Sequence, residues 1–173
     1  MKHKVISGIC SVTVIIGMIL TDHHKEISTS QAGLELIGNA EGCRKAPYFC
    51  PANILTVGIG TTESIGIKIE QNRTYTEKEI AEFYTKGIKQ AEDCVNRFGN
   101  GRNMPQGAFD AMTSITFNLG CSKMKHSTLF TMAMNGYTPR MCDQFPRWVY
   151  ANGKKLAGLV KRREKEKALC LQR

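Results

Sequence analysis

The pattern of apolar and polar positions begins with an uncharged run over residues 5–20, which follows Lys2 and Lys4. A basic start before an apolar core is typical of an export signal, and no small-x-small cleavage site follows this one. Its sixteen residues reach about 24 Å as a helix, which is short of a hydrocarbon core of about 30 Å. We therefore predict a poor membrane anchor over residues 1–24, with an ordinary tether or an inefficiently cleaved signal as alternatives.

The next apolar pattern has helical spacing. Leu34, Ile37 and Ala40 fall on one face of a predicted helix, which Glu41 closes and Gly42 stops. A carboxylate at a helix end, facing a strand across a short loop, has the layout of an acid in a cleft. A solvated surface glutamate is the alternative.

Two stretches after this helix have strand-like alternation. Residues 55–60 read Leu-Thr-Val-Gly-Ile-Gly, which predicts a strand with glycines where another group approaches the backbone. Ile65, Ile67 and Ile69 alternate with other residues and predict a second strand of a small antiparallel sheet.

Helical periodicity then continues towards the C-terminus. Thr76 and Glu79 form a predicted capping box ahead of a long periodic stretch. Pro105 suits the first turn of the next helix, and Gly120 ends it. The predicted core face of that helix consists of Phe109, Met112, Thr116 and Phe117. The final helix, residues 158–173, mixes basic residues with glutamates, which is typical of a solvated face with ion pairs.

These elements predict an α+β fold that is mostly helical. A small antiparallel sheet lobe over about residues 42–75 is followed by a linking helix over about 76–98 and a helical lobe over about 99–173. All three belong to one predicted domain, residues 25–173, whose length suits a single domain with two lobes around a cleft.

The net charge of the chain indicates which class of partner it binds. The formal net charge is +9, which favours a polyanion such as nucleic acid, anionic lipid or cell wall. The chain has neither aromatics interleaved with a basic stretch nor zinc-finger spacing, so we predict no nucleic-acid partner. The tryptophan Trp148 lies near Phe145 and Tyr150, and we interpret all three as core residues rather than a sugar-stacking surface.

The cysteines indicate an oxidising compartment. There are seven of them in 173 residues and no Cys-x-x-Cys pair, which favours disulfides over a metal or redox motif. Because the number is odd, one thiol stays free in any fully paired monomer.

The spacing of Glu41, Cys50 and Thr56, which runs into Val-Gly-Ile-Gly, resembles the phage-type lysozymes. A Gly-Leu-Glu-Leu-Ile start, a Phe-Asn-Leu-Gly run at 117–120 and a Gly-Leu-Val-Lys-Arg-Arg-Glu tail extend the resemblance over nearly the whole chain. Cys50 stands where most relatives have an aspartate, which is a departure found in the signal-arrest-release endolysins of this family. Their N-terminal segment is held in the membrane and later released.

The resemblance implies a lysozyme-like two-lobed fold and a muramidase that cleaves the β-1,4 bond between N-acetylmuramic acid and N-acetylglucosamine. Glu41 would be the general acid, while Cys50 and Thr56 would hold or polarise water. Phe117 and Asn118 would contact sugar. No metal or organic cofactor is needed, because side chains supply these groups.

The expected partners are peptidoglycan, the bacterial inner membrane through the reversible N-terminal segment, and the host export machinery; we expect a monomer. The protein would first face the periplasm from the inner membrane and then be soluble in the periplasm.

The resemblance also gives weight to a cysteine switch. Cys10 lies in the membrane segment, while Cys43 and Cys50 flank the active loop. We predict an inactive Cys43–Cys50 bond in the membrane form and exchange to Cys10–Cys43 after release. The alternative is that Cys10 is an apolar filler and Cys43–Cys50 a permanent bond.

Four further cysteines would form two structural bridges. Three pairings are possible, and we predict Cys94–Cys170 with Cys121–Cys142.

Two rival functions use the same residues differently. A lytic transglycosylase would need Glu41 as its single acid and no residue at position 50. A non-catalytic membrane-binding or wall-binding protein would act through its basic tail alone.

Overall fold

The computed structural model describes residues 8–50 and 52–172, so the predicted basic start at Lys2 and Lys4 lies outside the described residues. The chain divides into two compact units. The first contains the N-terminal residues through Glu26 together with Gly38–Gly87, and the second contains Ile27–Ile37 and the chain from Ile88 onward.

The first unit begins with helix α1, Val12–Met18, which Ser11 caps by accepting a hydrogen bond from the Val14 amide. A π-helical turn, Ile19–His23, continues it. Apolar side chains of this stretch are buried, namely Cys10, Ile15, Ile16 and Ile19. Over the ranges that the structure describes, no helix is both long enough and apolar enough to cross a membrane.

The first unit contains a three-stranded antiparallel sheet. Its strands are β1, Arg44–Phe49, β2, Leu55–Gly58, and β3, Thr61–Thr62, in the order β1-β2-β3. The predicted strand over the alternating isoleucines is wrong. Ile65 ends a 3-10 helix, Glu63–Ile65, and Gly66 then takes a positive φ of 76°. The Ile69 amide donates to the Glu63 carboxylate at 2.8 Å instead of to a strand.

Helices α2, Gln31–Glu41, and α3, Glu77–Phe98, each contribute residues to both units. The capping box predicted for α3 is confirmed. The Thr76 amide and hydroxyl both donate to Glu79 Oε2 at 2.9 Å, and the Glu79 amide donates to the Thr76 hydroxyl at 3.2 Å. Two donors at the start of the helix are thereby satisfied locally.

The second unit is helical. It contains α4, Gln106–Leu119, α5, Cys121–Met124, α6, Thr128–Met134, a 3-10 helix, Pro139–Arg147, and α7, Ala157–Cys170, with a small hairpin of β4, Tyr150–Ala151, and β5, Lys154–Lys155. Its hydrophobic core includes the predicted Phe109 and Met112. The α+β, mostly helical fold class is confirmed.

Helix α7 differs from the predicted solvated face. Arg163 and Glu166 are fully buried, and Arg162 is 7% exposed. The Glu166 carboxylate pairs with Arg162 at 3.2 Å and with Arg163 at 2.9 Å, and it accepts from the Ser114 hydroxyl at 2.6 Å. Burial of two arginines is tolerated because the glutamate and neighbouring acceptors pair with them. The basic sequence of this helix is therefore partly an internal ion-pair network.

The predicted pairing of the four C-terminal cysteines is wrong. The bonds are Cys94–Cys121 and Cys142–Cys170, with Cα separations of 5.7 and 5.8 Å. The 3-10 helix that carries Cys142 packs against α7, which ends at Cys170. That packing puts Cys142, rather than Cys94, beside the end of α7.

Candidate active site

Glu41 is the last residue of α2, as the sequence predicted, and Gly42 after it takes a positive φ of 72°. The Glu41 side chain is half-buried and lies against Gly60. A Cβ built on Gly60 would come within 2.8 Å of Glu41 Oε2. Gly60 also has a positive φ of 61°. A glycine there allows the strand end to approach the carboxylate closely.

Cys50 is the one cysteine of the described residues that has no disulfide. It lies in the turn between β1 and β2, where its amide donates to the Ile54 carbonyl at 3.0 Å. A hydrogen bond from the Ile54 backbone lowers the pKa of the Cys50 thiol, and the Ala52 backbone and the Thr56 side chain act in the same direction. These bonds favour the thiolate because they stabilise its negative charge.

Thr56 lies on β2 and is 3% exposed. Its hydroxyl donates to the Ile54 carbonyl at 2.9 Å, and its side chain helps to lower the pKa of the Cys50 thiol. The first unit therefore holds Cys50 and Thr56 at the same turn, where both donate to the Ile54 carbonyl.

Tyr48 is a site residue that the sequence reasoning missed. It faces Thr56 across the β1–β2 ladder, so the two side chains share one face of the sheet. Burial raises the pKa of its phenol, and the charges of Glu41 and Cys50 raise it further. The Arg44 guanidinium lies 4.5 Å from its ring centroid. A neutral phenol near both the carboxyl and the thiol is a hydrogen-bond donor. Its position two residues before Cys50 on a strand was the available signal.

Cys43 follows Glu41 and Gly42 and forms a disulfide with Cys10 at a Cα separation of 5.1 Å. Both residues are buried. Of the three cysteines predicted to exchange, the structure thus joins Cys10 to Cys43 and leaves Cys50 as a thiol. No group of three metal-ligating side chains forms within the described part of the chain.

Phe117 and Asn118 lie in the second unit, near the end of α4, and both are half-buried. The Asn118 side-chain oxygen accepts from the Arg163 guanidinium at 2.9 Å. The ion-pair network of α7 therefore orients this amide.

An open pocket of about 320 Å³ also lies in the second unit. Trp148 is half-buried: it packs against the hydrophobic core, as predicted, and also lines this pocket. Phe145 is buried as predicted, whereas Tyr150 is 62% exposed, so the core prediction is wrong for Tyr150. The Lys123 ammonium lies 5.1 Å from the Trp148 ring centroid. The lining residues are His126, Ser127, Thr128, Leu129, Gln144, Arg147 and Trp148.

The chemistry of this pocket suits a polar ligand with negative charge. None of the residues that line it is acidic, while Arg147 supplies a positive charge and donates to Gln144 at 2.8 Å. An indole face beside hydroxyl, amide and guanidinium groups is a combination that binds sugars and carboxylates.

Comparison with known proteins gives consistent relatives. The sequence profile described as "Phage lysozyme" matches residues 38–166. The SAR-endolysin of Escherichia phage P1 is 40% identical over 185 residues, which covers 99% of this chain and 97% of the relative. The SAR-endolysin of Haemophilus phage HP1 is 36% identical over 153 residues, which covers 82% of this chain and 80% of the relative.

Two solved structures of one relative differ in their likeness to this chain. The active form of P1 phage endolysin Lyz superimposes with a TM-score of 0.87 at 40% identity, covering 95% of this chain and 96% of the other. The secreted inactive form of the same endolysin gives a TM-score of 0.57 at 42% identity, covering 83% and 95%.

Proposed function

We propose, because this chain belongs to the phage lysozyme family, that it hydrolyses the β-1,4 bond between N-acetylmuramic acid and N-acetylglucosamine in peptidoglycan for host lysis. Membership of the family makes the chain a lysozyme-type glycoside hydrolase of bacteriophage origin. The observation that supports the proposed hydrolysis is the carboxylate of Glu41 held against Gly60 in the same unit as Cys50 and Thr56, which both donate to the Ile54 carbonyl.

In the proposed reaction, Glu41 gives its proton to the glycosidic oxygen as the bond to the sugar breaks. Cys50 and Thr56 hold the water that attacks the anomeric carbon from the other side, and the Cys50 thiolate takes the proton that this water loses. The lowered pKa of Cys50 supports this role, since a thiolate accepts a hydrogen bond from water and a thiol accepts one poorly.

The second unit contributes proposed contacts with the rest of the polymer. Phe117 and Asn118 contact sugar at the end of α4. In the pocket, Trp148 stacks on a sugar ring while Arg147 pairs with a carboxylate of the peptide stem. This assignment accounts for a half-buried tryptophan beside positive charge.

The test of the reaction is product analysis after digestion in heavy-oxygen water. Hydrolysis puts labelled oxygen on a reducing muramic acid end, whereas a lytic transglycosylase leaves an unlabelled anhydro sugar. Substitution of the acid, Glu41→Gln, should lower the rate about 10²–10⁴-fold without lowering the melting temperature. Glu35→Gln, an exposed change in the same helix, is the matched control. Anhydro products from the parent enzyme would refute the hydrolase assignment.

We further propose that activity is controlled by membrane tethering and a disulfide exchange. After export, residues 1–24 hold the chain in the host inner membrane with the enzyme facing the periplasm, and a Cys43–Cys50 bond blocks the catalytic sulfur. On release, the Cys10 thiolate attacks Cys43, a new Cys10–Cys43 bond forms, and Cys50 leaves as a thiolate. The exchange consumes no oxidant or reductant.

Two observations support this regulation. The bond present in the structure is Cys10–Cys43, with Cys50 free. The fold is also more similar to the relative's active form than to its secreted inactive form. The structure therefore agrees with the released, active state of the proposed cycle.

Disulfide mapping of membrane-bound and released protein, each assayed for lysis, tests the exchange. We expect Cys43–Cys50 in the inactive fraction and Cys10–Cys43 in the active one. Cys10→Ser should stay inactive until a reductant is added, and Cys50→Asp should be active in either redox state. Identical bonds in both fractions, or full lysis by Cys10→Ser without reductant, would make the cysteines purely structural.

A further inference from the structure

The N-terminal segment, defined here as residues 8–18, joins the sheet as an additional edge. Ile9 forms an antiparallel bridge with Arg44 on β1. The Lys45 amide donates to the Gly8 carbonyl at 2.6 Å, and the Cys10 amide donates to the Cys43 carbonyl at 3.3 Å. These backbone bonds fix the register between the segment and β1, and that register puts Cys10 opposite Cys43.

The helical part of the segment passes close to α2 at Gly38. A Cβ built on Gly38 would lie 2.6 Å from the Val12 Cγ1 methyl. The nearest atom outside Val12 is the Tyr84 hydroxyl, at an ordinary 3.7 Å. With the N-terminal segment absent, a methyl group at position 38 would therefore fit. Gly38 forms a notch whose shape is complementary to Val12.

We infer that the β1 edge and the Gly38 notch form a binding site for the chain's own N-terminal segment, and that Gly38 determines whether Cys10 reaches Cys43. This inference rests on the proposed exchange for its biological meaning. The inference adds to that exchange an account of how Cys10 is positioned. Pairing with β1 sets the register of the segment, and the Gly38 notch leaves room for Val12 of α1. Gly38 touches no reacting atom and acts only by positioning Cys10.

A background that lacks the covalent bond tests the binding site directly. In released full-length protein carrying Cys10→Ser and Cys43→Ser, hydrogen exchange of the Lys45 amide reports whether Gly8 still occupies the β1 edge. The Tyr75 amide, which donates to the Lys45 carbonyl at 3.0 Å, reports whether the unit remains folded.

In that background, Gly38→Ala should lower protection of the Lys45 amide about tenfold or more while Tyr75 stays protected, because overpacking penalises only the bound segment. Adding Val12→Ala should restore protection, since it removes the clashing methyl. Gly158→Ala, a helical glycine whose Cβ would meet nothing within 4 Å, is the matched control. Alanine favours helix over glycine, so weakening of α2 cannot explain the loss.

Unchanged Lys45 protection in Gly38→Ala, or no rescue by Val12→Ala, would overturn the inference. Protection that depends on protein concentration would also overturn it, because the segment of a second copy would then be the occupant. The parent cysteines give a second measure: in glutathione buffers, the Cys10–Cys43 bond of Gly38→Ala should form about tenfold less readily. Neither readout involves catalysis, so failure of the muramidase or exchange proposals would leave them interpretable.

Discussion

At the scale of single residues, Gly60 supports the proposed acid by lacking a side chain. Two features of this position disfavour a side chain: the backbone has a positive φ, and the Glu41 carboxylate approaches closely. Gly42 has only the first feature: its φ is 72°, but a Cβ placed there would meet no heavy atom within 4 Å. A comparison of substitutions at Gly42 and Gly60 therefore distinguishes the effect of backbone strain from the effect of contact with Glu41.

We expect Gly60→Ala to lose at least about tenfold in lytic rate, because the methyl displaces the Glu41 carboxylate from its position. Both Gly60→Ala and Gly42→Ala should lose about 1–2 kcal/mol of stability from the left-handed backbone. Turbidity assays and urea unfolding measure the two effects. Equal lytic rates in the two variants would show that contact with Gly60 does not position the acid.

Cys50 offers a residue-scale test of the hydrogen bonds at the sulfur. Because these bonds lower its pKa, alkylation of Cys50 should reach half its maximal rate below the pH of about 8.5 that is usual for a thiol. Thr56→Val removes a side-chain hydroxyl that lowers the pKa of Cys50, so this pKa and the alkylation midpoint should rise. Thr62→Val, on the neighbouring strand, should leave the midpoint in place. A midpoint unchanged in Thr56→Val would mean that the Ile54 and Ala52 backbone controls the thiol alone.

The spacing along the chain proposes Glu41, Cys50 and Thr56 as site residues. The structure keeps all three in the first unit, because the helix end, the turn and the strand that carry them are consecutive in sequence. Neither Tyr48 nor the pocket beside Trp148 was predicted, because both depend on neighbours that folding brings together. The charges of Glu41 and Cys50 raise the pKa of Tyr48, and Trp148 lines its pocket together with residues 126–129.

At the scale of elements, α7 derives its position from the buried network around Glu166. Replacing that carboxylate with an amide, Glu166→Gln, leaves two buried arginines without a counter-charge. We expect a loss of about 3–5 kcal/mol in unfolding free energy, measured by urea denaturation. Glu164→Gln on the same helix is exposed and should change stability by at most about 0.5 kcal/mol. Similar losses in both variants would contradict a structural role for the network.

Elements with local signals were predictable, and those decided by distant partners were not. Helix α3 is marked by its own capping box and periodicity. The isoleucines at 65–69 alternate like a strand, yet the Glu63 carboxylate captures the Ile69 amide and a left-handed Gly66 interrupts the stretch. The α7 sequence predicts solvent-facing arginines because their acceptors, the Ser114 carbonyl for Arg162 and the Asn118 side chain for Arg163, lie on α4.

At the scale of the whole molecule, cysteine pairing depends on which elements pack together, and sequence spacing does not give that. The bonds Cys94–Cys121 and Cys142–Cys170 each join elements of the second unit. The fold class was predictable because the resemblance extended along the chain. The basic side chains fall into two groups: Arg162 and Arg163 are paired with Glu166 inside the second unit, and exposed lysines and arginines are available to an anionic wall.

The N-terminal segment and the turn after it bury only part of their apolar side chains. Ile9, Val14 and Leu20 remain 72, 44 and 36% exposed. Under the proposed membrane cycle, these three exposed side chains contact lipid before release and solvent afterwards. The buried isoleucines contact lipid before release and pack inside the protein afterwards. A change in polarity at an exposed position would alter how long the segment resides in the bilayer but not how the released enzyme packs. Substitutions within one short stretch of sequence can thus change the timing of lysis without changing the stability of the released enzyme.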